Sequence, residues 1–321
     1  MITTAECVSP MHPDKMCDRI SDTLLDLHLR HDPYSRVAIE TMGGNMEVYI
    51  SGEVTSNYKI SQQEIEDIVH KITKDSKIMV TTNLNQQSPE IAQGVDTGGA
   101  GDQGIMTGYA CRENEQFLPQ EYYLSRELNK FIFDKFPYDG KTQVTINGNS
   151  LRVVCSFQNA PKEELEDLVG RFFNNFPQYR IESLHCNPAG DWNIGGFTAD
   201  AGLTGRKLAV DNYGPRVPIG GGAFSGKDAT KVDRSAAYMA RRIAVDILEQ
   251  RPEANEVFVQ LAYAIGYDQP LQASALVDGK HEFITGYDLS PKGIIDFLKL
   301  RMPIFSETAA FGHMGNNFKW K

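Results

Sequence analysis

Hydrophobic and polar residues alternate along RVAIETM (36–42) and MEVYISGEV (46–54), the period-two pattern of half-buried strands. Gly43-Gly44-Asn45 between them is a hairpin signal. The next stretch, ISQQEIEDIVHKIT (60–73), changes to a helical period. Ser61 is placed to cap it, with Glu64 three residues on, and Ile65, Ile68, Val69 and Ile72 form its apolar stripe. A hundred residues later the same order returns. TQVTING (142–148) and LRVVCSF (151–157) predict a second hairpin with its turn at Asn147-Gly148-Asn149, and PKEELEDLVGRFF (161–173) predicts a helix. Glu64-Ile65-Glu66-Asp67-Ile68-Val69 falls on Glu164-Leu165-Glu166-Asp167-Leu168-Val169.

A third copy lies 229 residues on from the first. VFVQLAYAIGY and QASALVDG predict strands and SPKGIIDFLKL a helix, with Ile65, Asp67, Ile68 and Val69 falling on Ile294, Asp296, Phe297 and Leu298. The alternative is chance agreement between amphipathic helices. Three hairpin-then-helix units predict an α+β fold of three similar βα modules, each a sheet with helices on one face. Read sequentially they span 1–96, 97–192 and 193–321, an approximation because modules can be discontinuous.

Further helices are predicted over 13–30, 120–135 and 231–249. The first begins at Pro13, a favoured first helical residue, and carries the stripe Met16, Ile20, Leu24 and Leu27. Its other face holds Asp14, Asp18, Asp22 and Asp26 at intervals of four. The bland reading of that row is a solvated face. Only Asp14, beside His12, is a candidate metal ligand. No apolar run is long enough to span a membrane, and the N-terminus has no leader pattern. The five cysteines (7, 17, 111, 155, 186) form no CxxC pair, which favours reduced thiols and a cytoplasmic location.

Acidic residues outnumber basic ones by 42 to 32, for a net charge of −10, which excludes general nucleic-acid binding. Yet residues 205–242 hold eight Lys/Arg against three Asp. A basic island in an acidic chain points to a small anionic ligand, against the alternative of a solvated helix face. Within it lies GGGAFSGKD (220–228), which from Gly221 fits the GxxxxGK of a P-loop. The full motif needs Ser or Thr where Asp228 stands, and a buried strand where YGPRVPI stands, whose prolines disfavour one. What remains is a phosphate cradle of another kind: glycines that let backbone N–H groups approach an anion, a helix start just beyond, and Lys227 and Lys231 as point charges. Nucleotide-bound Mg²⁺ takes one or two carboxylates plus phosphate oxygens. HPDK (12–15) and KVDR (231–234) each supply one Asp among cations.

Six segments together resemble the S-adenosylmethionine synthetase family: Val8-Ser9 with HPDK (12–15), GAGDQG (99–104), DAGLTGRK (200–207), GGGAFSGKD (220–228), KVDRSAAY (231–238) and ETAAFGH (307–313). The resemblance runs from residue 6 to 320. It implies three βα modules with pseudo-threefold symmetry and a tight homodimer with active sites between subunits, pairing into tetramers left open. It implies synthesis of S-adenosylmethionine from ATP and L-methionine: sulfur attacks C5′, the triphosphate leaves, and hydrolysis gives pyrophosphate and phosphate. Mg²⁺, about two per site, and K⁺ are the implied cofactors.

Residue by residue, the resemblance places His12 at the departing oxygen and Asp14 and Asp233 on Mg²⁺. It sets Lys141, Arg206, Lys207 and Lys227 on the phosphates and Lys231 near methionine and phosphate. Asp139, Ala223 and Asp191 contact the nucleotide, Asp191 through its backbone, and Trp192 stacks on adenine. Asp200 serves both ATP and methionine. Glu53, Gln93, Asp102 and Ile265 join the methionine pocket, and Glu40 matches the K⁺ site. The chain departs from the family pattern at Pro10-Met11, where Glu-Gly is usual, at Asp191, where Arg is usual, and at Thr107 in place of Phe. The gate before Gly99 is reduced to Thr97-Gly98, the stretch 110–190 is compact, and the C-terminal extension is short. Two other readings stay open: a triphosphate hydrolase without the methionine step, and a non-catalytic regulatory subunit.

Overall fold

The computed structural model describes residues 2–86 and 98–320. The chain opens with β1 (Ile2–Val8) and α1 (Pro13–His31), then β2 (Arg36–Gly44), β3 (Glu47–Thr55), α2 (Gln62–Thr73) and β4 (Met79–Asn85). After β5 (Gly104–Cys111) and α3 (Gln120–Lys135) the order returns as β6 (Gly140–Asn147), β7 (Ser150–Phe157), α4 (Lys162–Phe173) and β8 (Arg180–Cys186). A short β9 (Gly202–Leu203) and α5 (Leu208–Asp211) lead to α6 (Val232–Gln250), β10 (Glu256–Tyr263), β11 (Gln272–Val277), β12 (Lys280–Phe283), α7 (Pro291–Leu298) and α8 (Phe305–Thr308).

The predicted hairpins and helices all form, and local chemistry explains their ends. Ser61 and Glu64 close both bonds of a capping box on α2. The first hairpin differs in its turn. Asn45 and Met46 make it, both at positive φ (49° and 65°), and the two glycines belong to β2. Gly43 is needed there for another reason: a Cβ would stand 2.4 Å from the Phe197 ring.

Three four-stranded sheets result, in the orders β1-β6-β7-β8, β12-β11-β10-β5 and β4-β3-β2-β9. Each takes one edge strand from a distant part of the chain. β1 pairs with β6, β5 with β10, and β9 with β2, all antiparallel. The sheets therefore interlock and do not coincide with sequential thirds. Each is backed by one long helix: α1 on β2 and β9, α3 on β1 and β6, α6 on β5 and β10. The third unit departs from the other two, because β12 folds back antiparallel on β11 where β4 and β8 run parallel to their neighbours.

Met16, Ile20 and Leu24 of α1 are buried against this core, each worth roughly 1.5–3 kcal/mol relative to exposure. The opposite face is not solvated. Asp18, Asp22 and Asp26 are all 0% exposed. Loop backbone takes the place of water: Asp14 accepts the N–H of Leu203 (3.0 Å), Asp18 that of Gly205 (2.8 Å), Asp22 that of Gly226 (2.8 Å), and Asp26 those of Phe305 and Ser306 (2.9 and 2.8 Å). Buried carboxylates persist only when so paired. Among the described residues no helix is long and apolar enough to cross a membrane.

Candidate active site

One group of the candidate residues gathers at the start of α1. Pro10 and Met11 lead into His12 through a hydrogen-bonded turn. The Pro10 carbonyl accepts Arg19 (3.0 Å), and Ser9 accepts both the Met11 and the His12 N–H groups. His12 is the N-cap, its Nδ1 accepting the Asp14 N–H at 3.2 Å. Burial, helped by Lys207 and Lys141, pushes its pKa down to about 4. The ring is therefore neutral near pH 7. With Nδ1 accepting, the proton sits on Nε2, a donor with no hydrogen-bond partner among the described residues.

Asp14 is 2% exposed and accepts Leu203 N–H and the Lys207 ammonium, with Arg206 Nε at 3.6 Å. Burial alone would raise its carboxyl pKa; the bonds from Lys207 and Leu203 outweigh that and hold it below the usual range. Asp139 accepts the Gly196 N–H at 3.2 Å, and burial pushes its carboxyl up. Lys141, first turned outward on β6, pairs in register with Ser156, whose Oγ accepts Trp192 Nε1 at 3.0 Å. The half-buried Trp192 ring thus flanks Lys141. Asp200 lies close enough for its charge to act on both His12 and Asp139. Asp191 accepts Asn187 Nδ2 at 2.9 Å.

A second group forms around the glycine stretch. Lys227 bridges to Ala38 of β2, and its ammonium reaches Asp233, in the first turn of α6, at 2.6 Å. The loop is shaped by missing Cβ atoms: one on Gly222 would stand 2.5 Å from the Asp233 carboxylate, and one on Gly220 (φ 75°) 2.3 Å from the Ile105 carbonyl oxygen. Lys231 pairs with Asp228. Glu53 is opposite Ala38 in register, so Glu53, Ala38 and Lys227 lie side by side across three backbones. Glu40 is exposed two residues along β2 from Ala38. Asp102 and Ile265 stand on two loops tied by the Ala100–Tyr267 and Gly266–Ala100 backbone bonds, both 2.8 Å. Gln93 and Thr97 lie outside the described residues.

The two groups meet where Gly205 packs on Ala223: a Cβ at 205 would stand 2.6 Å from that of Ala223. Their carboxylates share no hydrogen-bond partner among the described residues. Among the described residues neither group contains three close His, Cys, Asp or Glu ligands. One oxygen-donor carboxylate beside cations suits a hard divalent ion that arrives with phosphate oxygens, rather than one held in an all-protein cage. The residue set fits such a metal. It does not fit a P-loop, since no strand leads into the glycine stretch.

Sequence reasoning passed over three residues that hold the site. Asp228 ties the loop to β2 through Val37 N–H (2.7 Å) and caps Thr230 N–H (2.8 Å). Asp18 and Asp22 hold Gly205 and Gly226. The available signal was the interval of four from Asp14.

The chain matches the models for the N-terminal, central and C-terminal domains of S-adenosylmethionine synthetase over residues 1–95, 97–173 and 194–321. The S-adenosylmethionine synthase of Rhodospirillum centenum is 39% identical over 371 aligned positions, covering 100% of this chain and 95% of the relative. That of Salinibacter ruber is 40% identical over 365, covering 99% and 94%. A solved structure, described as an unusual S-adenosylmethionine synthetase from Campylobacter jejuni, superposes with a TM-score of 0.89 at 33% identity, over 99% of this chain and 96% of that one. The likeness spans the interlocked sheets, the basic loops and the glycine stretch alike: the chain belongs to the S-adenosylmethionine synthetase family.

Proposed function

We propose that this chain performs its family's reaction, the synthesis of S-adenosylmethionine from ATP and L-methionine, by closing two cationic groups on the triphosphate while methionine sulfur attacks C5′. The chemistry explains the residue types. A thioether is a neutral nucleophile and needs no general base. The difficulty is the polyanionic leaving group, so catalysis must supply positive charge and in-line alignment. Arg206, Lys207 and Lys141 from one group, and Lys227 and Lys231 from the other, grip the phosphates. Neutral His12 donates from Nε2 to the oxygen that departs from C5′. Trp192 stacks on adenine, with backbone contacts from Ala223 and Asp191 and polar ones from Asp139 and Asp200. Glu53, Gln93, Asp102, Asp200, Lys231 and Ile265 receive methionine.

Asp14 and Asp233 would hold divalent metal, read as Mg²⁺, which neutralises phosphate charge when bound. Glu40 would hold K⁺. The assembly is read as a homodimer with sites between subunits. The outer face of β2-β3-β4 supports it: Met42, Tyr49 and Met79 are 45–60% exposed there. The leaving triphosphate is then cleaved to pyrophosphate and phosphate in the same cradle. The five buried thiols suit a reducing cytoplasm.

The observation that carries this reading is the pairing of Asp14 and Asp233, each in the first turn of a helix, with Lys207 and Lys227, whose loops touch at Gly205 and Ala223. An assay with ATP and methionine, following S-adenosylmethionine and phosphate separately, tests it. Both products are expected. Phosphate alone would show a triphosphate hydrolase, and neither product a non-catalytic subunit.

A further inference from the structure

We propose that the buried Asp22–Arg234 ion pair is a positioning device for Lys227, fixing the backbone on both sides of that residue. Both members are 0% exposed. The carboxylate meets the guanidinium in a fork, at 2.6 and 2.8 Å. The fork does not stop there. Asp22 Oδ1 also accepts the Gly226 N–H (2.8 Å), immediately before Lys227, and Arg234 Nη1 also donates to the Lys227 carbonyl (3.1 Å). One pair thus holds the peptide unit that enters Gly226 and the one that leaves Lys227.

The seat leaves no slack. Gly226 (φ 81°) lies so close to β2 that a Cβ would stand 1.9 Å from the Ile39 carbonyl oxygen. Ile39 N–H donates to the Gly226 carbonyl, and Asp228 N–H to that of Val37, both at 3.0 Å. A buried ion pair is weak ground for stability, since apolar residues of similar volume often serve as well. They could not supply a donor and an acceptor to one peptide segment. The molecule carries its own comparison one turn further along α1. Asp26 is equally buried and accepts two backbone N–H groups, from Phe305 and Ser306, in a segment that holds none of the site residues.

The inference rests on the phosphate role of Lys227 proposed above, and the test separates the two. Arg234→Lys keeps the positive charge against Asp22 and removes the planar fork that reaches the Lys227 carbonyl. Asp22→Asn is the second variant, for use if Arg234→Lys does not fold. Each is made in the wild type and in a Lys227→Ala background, and kcat and KM for ATP are measured on folded protein. On the wild-type background kcat/KM is expected to fall on the order of tenfold. On Lys227→Ala the same change is expected to have little further effect, because the residue being positioned is gone.

An equal loss in both backgrounds overturns the positioning role while the phosphate role stands. Wild-type turnover in Lys227→Ala itself overturns both.

Discussion

The two carboxylates proposed for metal, Asp14 and Asp233, sit in opposite states. Asp14 is almost fully buried and already engaged by a backbone N–H, a lysine and an arginine. Asp233, its side chain 15% exposed, accepts a hydrogen bond from Lys227 alone among the described residues. Beside it are glycines, whose missing side chains leave room. In one half the charged groups that face the ligand also hold the backbone; in the other the Asp22–Arg234 pair holds the loop from behind, and missing Cβ atoms leave room in front. The charged half stabilises the fold as well as the ligand, whereas the glycine half is free to serve the ligand.

That contrast can be broken most directly at the lysines. Lys207→Ala and Lys227→Ala should both slow turnover, since hydrogen bonds to charged groups are worth ~1.5–3 kcal/mol, or roughly 10–150-fold in rate. Only Lys207→Ala should also lower the stability of the free protein, by about 1–3 kcal/mol in urea unfolding, because it strips a partner from a buried carboxylate. Equal stability loss in the two variants would erase the distinction between the halves.

The aspartates sharpen it. Asp14→Asn and Asp233→Asn should each raise the divalent ion concentration needed for half-maximal activity. Asp14→Asn should in addition destabilise the metal-free protein, and Asp233→Asn should shift it by less than about 0.5 kcal/mol, as for a partly exposed position. An unchanged metal titration in either variant removes that residue from the metal site.

The smallest effect is a titration that the charged half has and the glycine half lacks. His12 binds a proton near pH 6.5 when unfolded but only near 4 when folded. Its folded-state value is depressed, so its contribution to stability is full above about pH 6.5 and is lost as pH falls toward 4. Between pH 6.5 and 5.5 the loss is about 1 kcal/mol. In metal-free buffer, His12→Asn, which can still cap α1, should flatten the pH dependence of the urea midpoint across this window. Parallel profiles for the two proteins would show that the ring titrates normally.

Local order was legible wherever neighbours in sequence are neighbours in space. The three hairpin-then-helix units, the Ser61–Glu64 box and the extents of α1, α3 and α6 follow from period and capping. The exchange of β1, β5 and β9 between sheets does not, because these strands pair with partners more than a hundred residues away and nothing in a short strand names its partner. The acidic row of α1 misled for a related reason. Asp18, Asp22 and Asp26 have the spacing of a solvated face, and their burial is made tolerable by distant loop N–H groups, by Arg234 on Asp22 and by Lys15 on Asp18. The cationic residues of the site were legible through the family motifs. The split into two groups was not, since motifs carry residue types and no distances.

A structure with a non-hydrolysable ATP analogue, methionine and Mg²⁺ tests the central claim most directly. The phosphate chain is expected between the Arg206-Lys207 loop and the 220–227 glycine stretch, with Asp14 and Asp233 on the metal ions and the methionine sulfur in line with C5′. A phosphate chain directed away from the glycine stretch, or two aspartates far from any shared nucleotide in the assembled protein, would contradict it.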